Sequence, residues 1–83
     1  MAIKLLSWDV ESSNLLSLSF SYREEVTNPD KVGTLIVNFK GGSTYSYREV
    51  PLAVIHQILE SDSIGKTFNE LIRKGKYKFN RIH

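Results

Sequence analysis

The sequence predicts an α+β domain, a small antiparallel sheet in the order β-β-β-α-α-β with two helices packed on one face. Three observations predict it. Leu16, Leu18, Phe20 and Tyr22 alternate with Ser17, Ser19 and Ser21. A glycine pair at Gly41 and Gly42 separates two runs rich in β-branched and aromatic residues, and at Pro51 the apolar period changes from two to that of a helix.

The alternation of residues 16–22 is that of a strand with one buried face. The polar stretch "REEVTNPDKVG", residues 23–33, reads as a long hairpin loop. "TLIVNF" follows as a second strand with Leu35, Val37 and Phe39 on one face. Gly41 and Gly42 supply a tight turn, because glycine tolerates positive φ. "STYSYREV" is a third strand that places Tyr45 and Tyr47 together. Pro51 suits the first turn of a helix, where a missing N–H costs nothing. Val54, Ile55, Ile58 and Leu59 form its apolar stripe, and the helix should stop near Glu60. "SDS" at 61–63 offers capping side chains to a second helix, whose stripe is Ile64, Phe68, Leu71 and Ile72. Gly75 stops it. "YKFNRI" closes the chain as a short strand with Tyr77 and Phe79 in the core and its lysines on a solvent-facing edge. "IKLLSWDV" reads either as an extra strand or as a helical turn, so residues 1–11 are expected to be an N-terminal extension to a domain spanning 12–83.

Composition bounds the function classes. With 83 residues and 41% hydrophobic content, the chain supports one folded domain. Cysteine is absent, which excludes a disulfide framework and thiolate metal sites. No signal segment is expected from "MAIKLLSW", and the longest apolar run, about Val50 to Ile55, is far below the roughly 20 residues of a membrane span. A soluble, cytoplasmic protein is therefore expected, with no membrane partner and no cofactor. The net charge is only +2, but it is segregated. From Lys66 onward six basic residues face one acid, whereas the preceding part carries five basic and eight acidic residues.

Taken together, "SSN" at Ser12 to Asn14, "LIVNFKGGSTYSYREVP" at Leu35 to Pro51 and "SIGKTFNELIRKGKYKF" at Ser63 to Phe79 resemble the KTSC domain. This small domain is named for its occurrence at the C-terminus of some lysyl-tRNA synthetases, and it also occurs as a stand-alone bacterial or phage protein. Its pattern falls here on Ser12 and Ser13, Phe39 and Gly42, Tyr45 and Tyr47, Val50 and Pro51, Ser63 and Gly65, Phe68 and Asn69, Ile72 and Arg73, and Tyr77 and Phe79. The loop at 23–33 is longer than the pattern, and the segment with Trp8 is additional. The resemblance implies no established activity. Through the synthetase association it implies RNA as a partner.

Catalysis is not expected. His56 lies on the first helix and His83 at a fraying end, and no metal-binding spacing or phosphate-binding glycine loop is present. Tyr45 and Tyr47 could stack bases, although packing beneath the helices is the simpler expectation. Ser63, Gly65, Lys66 and Asn69 form a candidate anion site at the start of the second helix. The basic stretch places Arg73, Lys74, Lys76, Lys78 and Arg81 close together around Gly75, with Lys66 and Tyr47 as additions. The leading expectation is a non-catalytic binding module that contacts nucleic acid, RNA favoured, through these residues. The rival is an adaptor or inhibitor that binds a protein through the 23–33 loop and an exposed Trp8. A third is a small-anion sensor at the second helix. The sequence sets no oligomeric state.

Overall fold

Leu18, Phe20 and Tyr22 are buried on one side of a strand whose serines face the other, and this alternation sets the plan of the molecule. The computed structural model describes residues 2–83. Five strands pair antiparallel in chain order: β1 (Ala2–Asp9), β2 (Leu15–Glu24), β3 (Val32–Phe39), β4 (Thr44–Pro51) and β5 (Phe79–Arg81). Between β4 and β5 lie α1 (Leu52–Leu59) and α2 (Ile64–Phe68), the latter running directly into a π-helical turn (Asn69–Arg73). The sheet contributes Leu35, Val37, Tyr47 and Val50 to the core, and the helices contribute Ile55, Ile58, Phe68 and Ile72. The other sheet face is open and rich in serine and threonine. There Asn38 donates to Ser17 Oγ (3.0 Å) and accepts from Thr44 (2.9 Å), joining three strands.

The N-terminal segment takes the strand form, not the helical turn. All eight residues of β1 pair with β2, from Ala2 opposite Glu24 to Asp9 opposite Ser17. Leu6 and Trp8 lie opposite Phe20 and Leu18 and pack against the core, which explains the pairing.

Several local expectations need correction. The register of β2 shifts between Leu15 and Ser17, and this irregularity exchanges the roles of two neighbours. Leu15 is wholly buried, while Leu16 is 54% exposed. The loop expected at 23–33 is shorter, since β2 continues through Glu24 and β3 starts at Val32. Asn28 holds it. Its Nδ2 donates to the carbonyls of Arg23 (2.8 Å) and Val32 (3.1 Å), and its Oδ1 accepts from the Val32 N–H (3.0 Å). The turn after β3 is as expected, with Gly42 at φ 95° and the Phe39 N–H donating to the Ser43 carbonyl (2.9 Å).

Pro51 ends β4 immediately before the first residue of α1, and Glu60 follows its last turn. The "SDS" segment does not cap α2 through a side chain. Ser63 occupies the capping position without such a bond, and Ser61 Oγ instead donates back to the Ile58 carbonyl (2.8 Å). The second stripe holds in outline. Phe68 and Ile72 are buried, Ile64 and Leu71 partly so. The helix widens after Phe68, where the Lys74 N–H reaches the Asn69 carbonyl five residues back (3.0 Å).

The last strand departs most. Tyr77 is partly buried, but Phe79 is 59% exposed, because β5 is three residues long and lies at the sheet edge. Nor is the end at His83 frayed. Its carbonyl accepts from the Thr44 N–H (3.0 Å), and its N–H donates to the Thr44 carbonyl (3.2 Å). Lys76 and Lys78 are exposed, as an edge requires.

Gly33 shows how closely β2 and β3 approach at the register shift in β3–β4. A Cβ there would lie 2.0 Å from the Ser21 carbonyl oxygen and 2.8 Å from Tyr22 Cβ. Gly33→Ala should therefore destabilise the protein by about 1–3 kcal/mol, the range for forced overpacking. Phe68→Ala should cost about 3–5 kcal/mol as a cavity in the core. Urea denaturation at neutral pH measures both, and an unchanged midpoint for Gly33→Ala would contradict this packing.

Candidate functional site

Ser12, the first of the serine pair, is a structural clasp. Ser12 Oγ accepts from the N–H groups of Asn14 and Leu15 (both 3.3 Å) and donates to Asn14 Oδ1 (2.9 Å). The Asn14 carbonyl accepts from the Lys40 N–H (2.9 Å), which ties the turn to the end of β3. The same turn seats against Gly65, where a Cβ would lie 2.9 Å from Asn14 Oδ1 and 3.0 Å from Ser12 Oγ. Three separate stretches of sequence thus meet: 12–14, 40 and 63–65. A polar groove runs beside this contact. It gathers Ser63, Gly65, Lys66 and Asn69, but Glu11 and Asp62 also line it, and their carboxylates oppose an anion there. α2 is only five residues long, so its dipole adds little.

Arg73 lines this groove and also an adjoining cleft of about 480 Å³. The cleft is walled by Phe39, Tyr45, Tyr47 and Phe79, and Ser43 lies at its rim. Its base is set by Phe68, whose ring meets Phe39 and Tyr47 edge-on at 5.9 Å each. Tyr45 lies nearly parallel to Tyr47 (22°, 6.4 Å), and Phe79 approaches both, at 6.1 and 5.7 Å. Offset aromatic contacts at these distances are attractive. No acid lines the cleft. Tyr47 is buried, and burial raises its hydroxyl above the usual tyrosine value. The positive charge of Arg73 opposes part of that rise, and Tyr45 adds to it slightly.

The structure divides the predicted basic cluster. Lys66 and Arg73 line the polar groove. Lys76 and Lys78 line a separate groove with Arg48, Glu49 and Tyr77. Arg81 stands opposite Tyr45 and donates to the His83 carbonyl (3.1 Å) and to Ser43 Oγ (3.4 Å). Lys74 is exposed at the end of the π-helical turn. None of these cations has a carboxylate partner, since the single ion pair among the described residues is Lys4–Glu24 at 3.8 Å. Trp8 is not the exposed anchor expected of it. It is half-buried against the core, and the exposed apolar residues of β1 are Ile3 (65%) and Leu5 (77%). His56 is exposed on α1.

Sequence reasoning passed over three residues that belong to this surface. Arg48 lies outside the basic stretch, but its N–H donates to the Lys78 carbonyl (2.9 Å), which fixes the two chains side by side. Phe39 and Ser43 flank the Gly41–Gly42 turn and reach the cleft only through the β3–β4 pairing. The strand pattern identified the face of Phe39. Nothing in it identified the open edge beyond.

Comparison with known proteins places these features in a family. The model of the KTSC domain matches residues 29–77. An uncharacterized protein of Stutzerimonas stutzeri is 33% identical over 73 residues, covering 88% of this chain and 92% of that protein. A lysine–tRNA ligase of Nostoc punctiforme is 35% identical over 74 residues, and there the match covers 89% of this chain but only 13% of the ligase. The crystal structure of a KTSC domain protein from Yersinia pestis superposes with a TM-score of 0.67 at 27% identity, covering 96% of this chain and all of that one.

Two outcomes follow from this geometry. Gly65→Ala should cost about 1–3 kcal/mol, because the Ser12–Asn14 turn must move or its bonds must lengthen. Thermal unfolding measures it, and Ser12→Ala should remove part of the difference. A tyrosine pKa raised by folding contributes stability below the unfolded value of about 10 that is lost as pH rises through the folded value. The wild type should therefore lose more stability than Tyr47→Phe as the pH is raised above about 10 in urea titrations. Parallel losses would refute the assignment.

Proposed function

This chain belongs to the KTSC domain family, and from that premise we propose that it is a non-catalytic module that binds nucleic acid, RNA favoured, through the basic surface around α2 and β5. One observation carries the reading: exposed cations without carboxylate partners line an acid-free aromatic cleft and the two grooves that share a residue with it. Arg73 and Lys66 line one of these grooves, Arg48 and Lys78 the other, and Lys76 lines a further groove with Arg48 and Lys78. Cations left unneutralised are available to phosphates, whose binding releases condensed counterions. RNA is favoured because segments similar to this chain occur within two lysine–tRNA ligases, enzymes whose named substrate is an RNA. The cytoplasm is the corresponding compartment.

A second reading has its own support. β1 is an eight-residue edge strand, and Ile3 and Leu5 are exposed on it. A long edge of this kind accepts a further strand from a protein partner. The outer side of β1 is thus a second candidate protein-interaction surface beside the 23–33 loop and Trp8.

Fluorescence polarisation with a labelled single-stranded RNA and a duplex DNA, each at low and physiological salt, tests the first reading. The expected result is RNA binding whose logarithmic salt slope flattens by about 2 when Lys74, Lys76 and Lys78 are changed to Glu, at about 0.7 per lost phosphate contact. Absence of binding at low salt would discard it. Ile3→Asp with Leu5→Asp should leave RNA binding unchanged, and a protein partner lost in that variant would support the second reading.

A further inference from the structure

The three depressions of the basic surface are joined. Arg73 lines both the polar groove and the aromatic cleft. Phe79 lines both the cleft and a shallow groove formed with Arg48, Tyr77 and Lys78. Through these shared residues Lys66, Arg73, the aromatic cleft, Phe79 and Lys78 line a series of adjoining depressions. Charge lies at its ends and aromatic surface at its centre. Phe79 is the informative residue. An aromatic ring on an edge strand that is 59% exposed, yet held at 5.7 Å from a buried tyrosine, offers a flat face to solvent on a rigid support. Its neighbour Tyr45 is itself only partly buried and stands 6.1 Å away. The volume of about 480 Å³ accommodates one heterocycle with its sugar.

We propose that this cleft takes a single unstacked nucleobase of a single-stranded RNA, stacked against Phe79 and Tyr45, with Arg73 on the phosphate to one side and Lys78 on the phosphate to the other. The proposal rests on the nucleic-acid reading above and adds a base-binding subsite to it. Phosphate contacts position the strand, and the aromatic faces supply a term that depends on the base being present. Single strands are selected over duplexes, because a paired base cannot leave its stack to enter the cleft without losing its partner. Arg81 is held by Ser43 and the His83 carbonyl, so it braces the rim. Tyr47 lines the cleft and Phe68 packs behind it, and both act as positioning residues, since their rings are buried.

The test separates this subsite from the basic surface on which it depends. The protein is titrated with two labelled oligoribonucleotides of equal length and charge, one with its bases and one abasic throughout. The intact oligonucleotide should bind more tightly. Phe79→Ser and Tyr45→Leu should each weaken it by roughly 5- to 150-fold, the range for loss of one stacked base, while leaving the abasic strand and the salt slope unchanged. Unchanged abasic binding also reports that each variant is folded. Equal affinity for the two strands, or equal loss of both in the variants, overturns the base subsite and leaves the phosphate surface standing. Binding of neither strand overturns both. If a polyproline decapeptide then binds and is lost in Phe79→Ser, the cleft belongs to a protein ligand.

Discussion

The ring of Phe68 is the point at which the two layers of this molecule are fastened. It is fully buried, and it meets Phe39 of β3 and Tyr47 of β4 edge-on. α2 alone is too short to hold a position, because five residues make little more than one turn. Its place is set by this contact on one side and by the seat of Gly65 against the Ser12–Asn14 turn on the other. The π-helical turn begins at the next residue, and the chain leaves it at Arg73. The guanidinium over the cleft, the tyrosines beneath it and the groove beside it all take their positions from that one aromatic contact.

The two faces of the sheet have different work. One is dry, and its apolar columns from β1 to β4 need the helices as cover. The other is left to water and carries short hydroxyl and amide side chains that bond across strands, together with the exposed Ile3 and Leu5 of β1. β5 belongs fully to neither arrangement. It is short, consists of Phe79, Asn80 and Arg81, and lies at the edge of the helical cover. That position explains how Phe79 can be an aromatic residue of the sheet's apolar face and still be exposed. It also explains why the cations of the C-terminal stretch do not form one patch: Arg73 lies on the helix side of the cleft, and Lys78 lies on the strand side.

Much of the fold was legible because period-two and period-3.6 patterns report burial directly. The three central strands and both helices are where the alternation of Leu18 to Tyr22, the Gly41–Gly42 turn and Pro51 put them, whereas the final strand is shorter than its pattern and leaves Phe79 exposed. What was not legible depends on pairing between distant segments. Leu15 and Leu16 are equally apolar, and only the register shift against β3 decides which is buried. The N-terminal strand is stabilised by Phe20 and Leu18, which the sequence of residues 2–9 does not contain. The wide turn after Phe68 has no local signature. At the site, Arg73 and Lys66 were visible as charges. Their relation to Tyr45 and Phe79 required the β4–β5 pairing, and Arg48 became part of the surface only through its bond to Lys78.

The order of the strands in space is their order along the chain, and this has a consequence for how the protein is made. During synthesis each of β2, β3 and β4 emerges next to a partner that has already left the ribosome, so the meander can zip up through local pairings, which form quickly. β5 alone must wait until both helices have folded back over the sheet. Since β5 carries Phe79, the wall of the cleft is the last described element to arrive. The nascent chain can hold an ordered sheet well before it holds a complete cleft, so maturation of the site reports the docking of the helices.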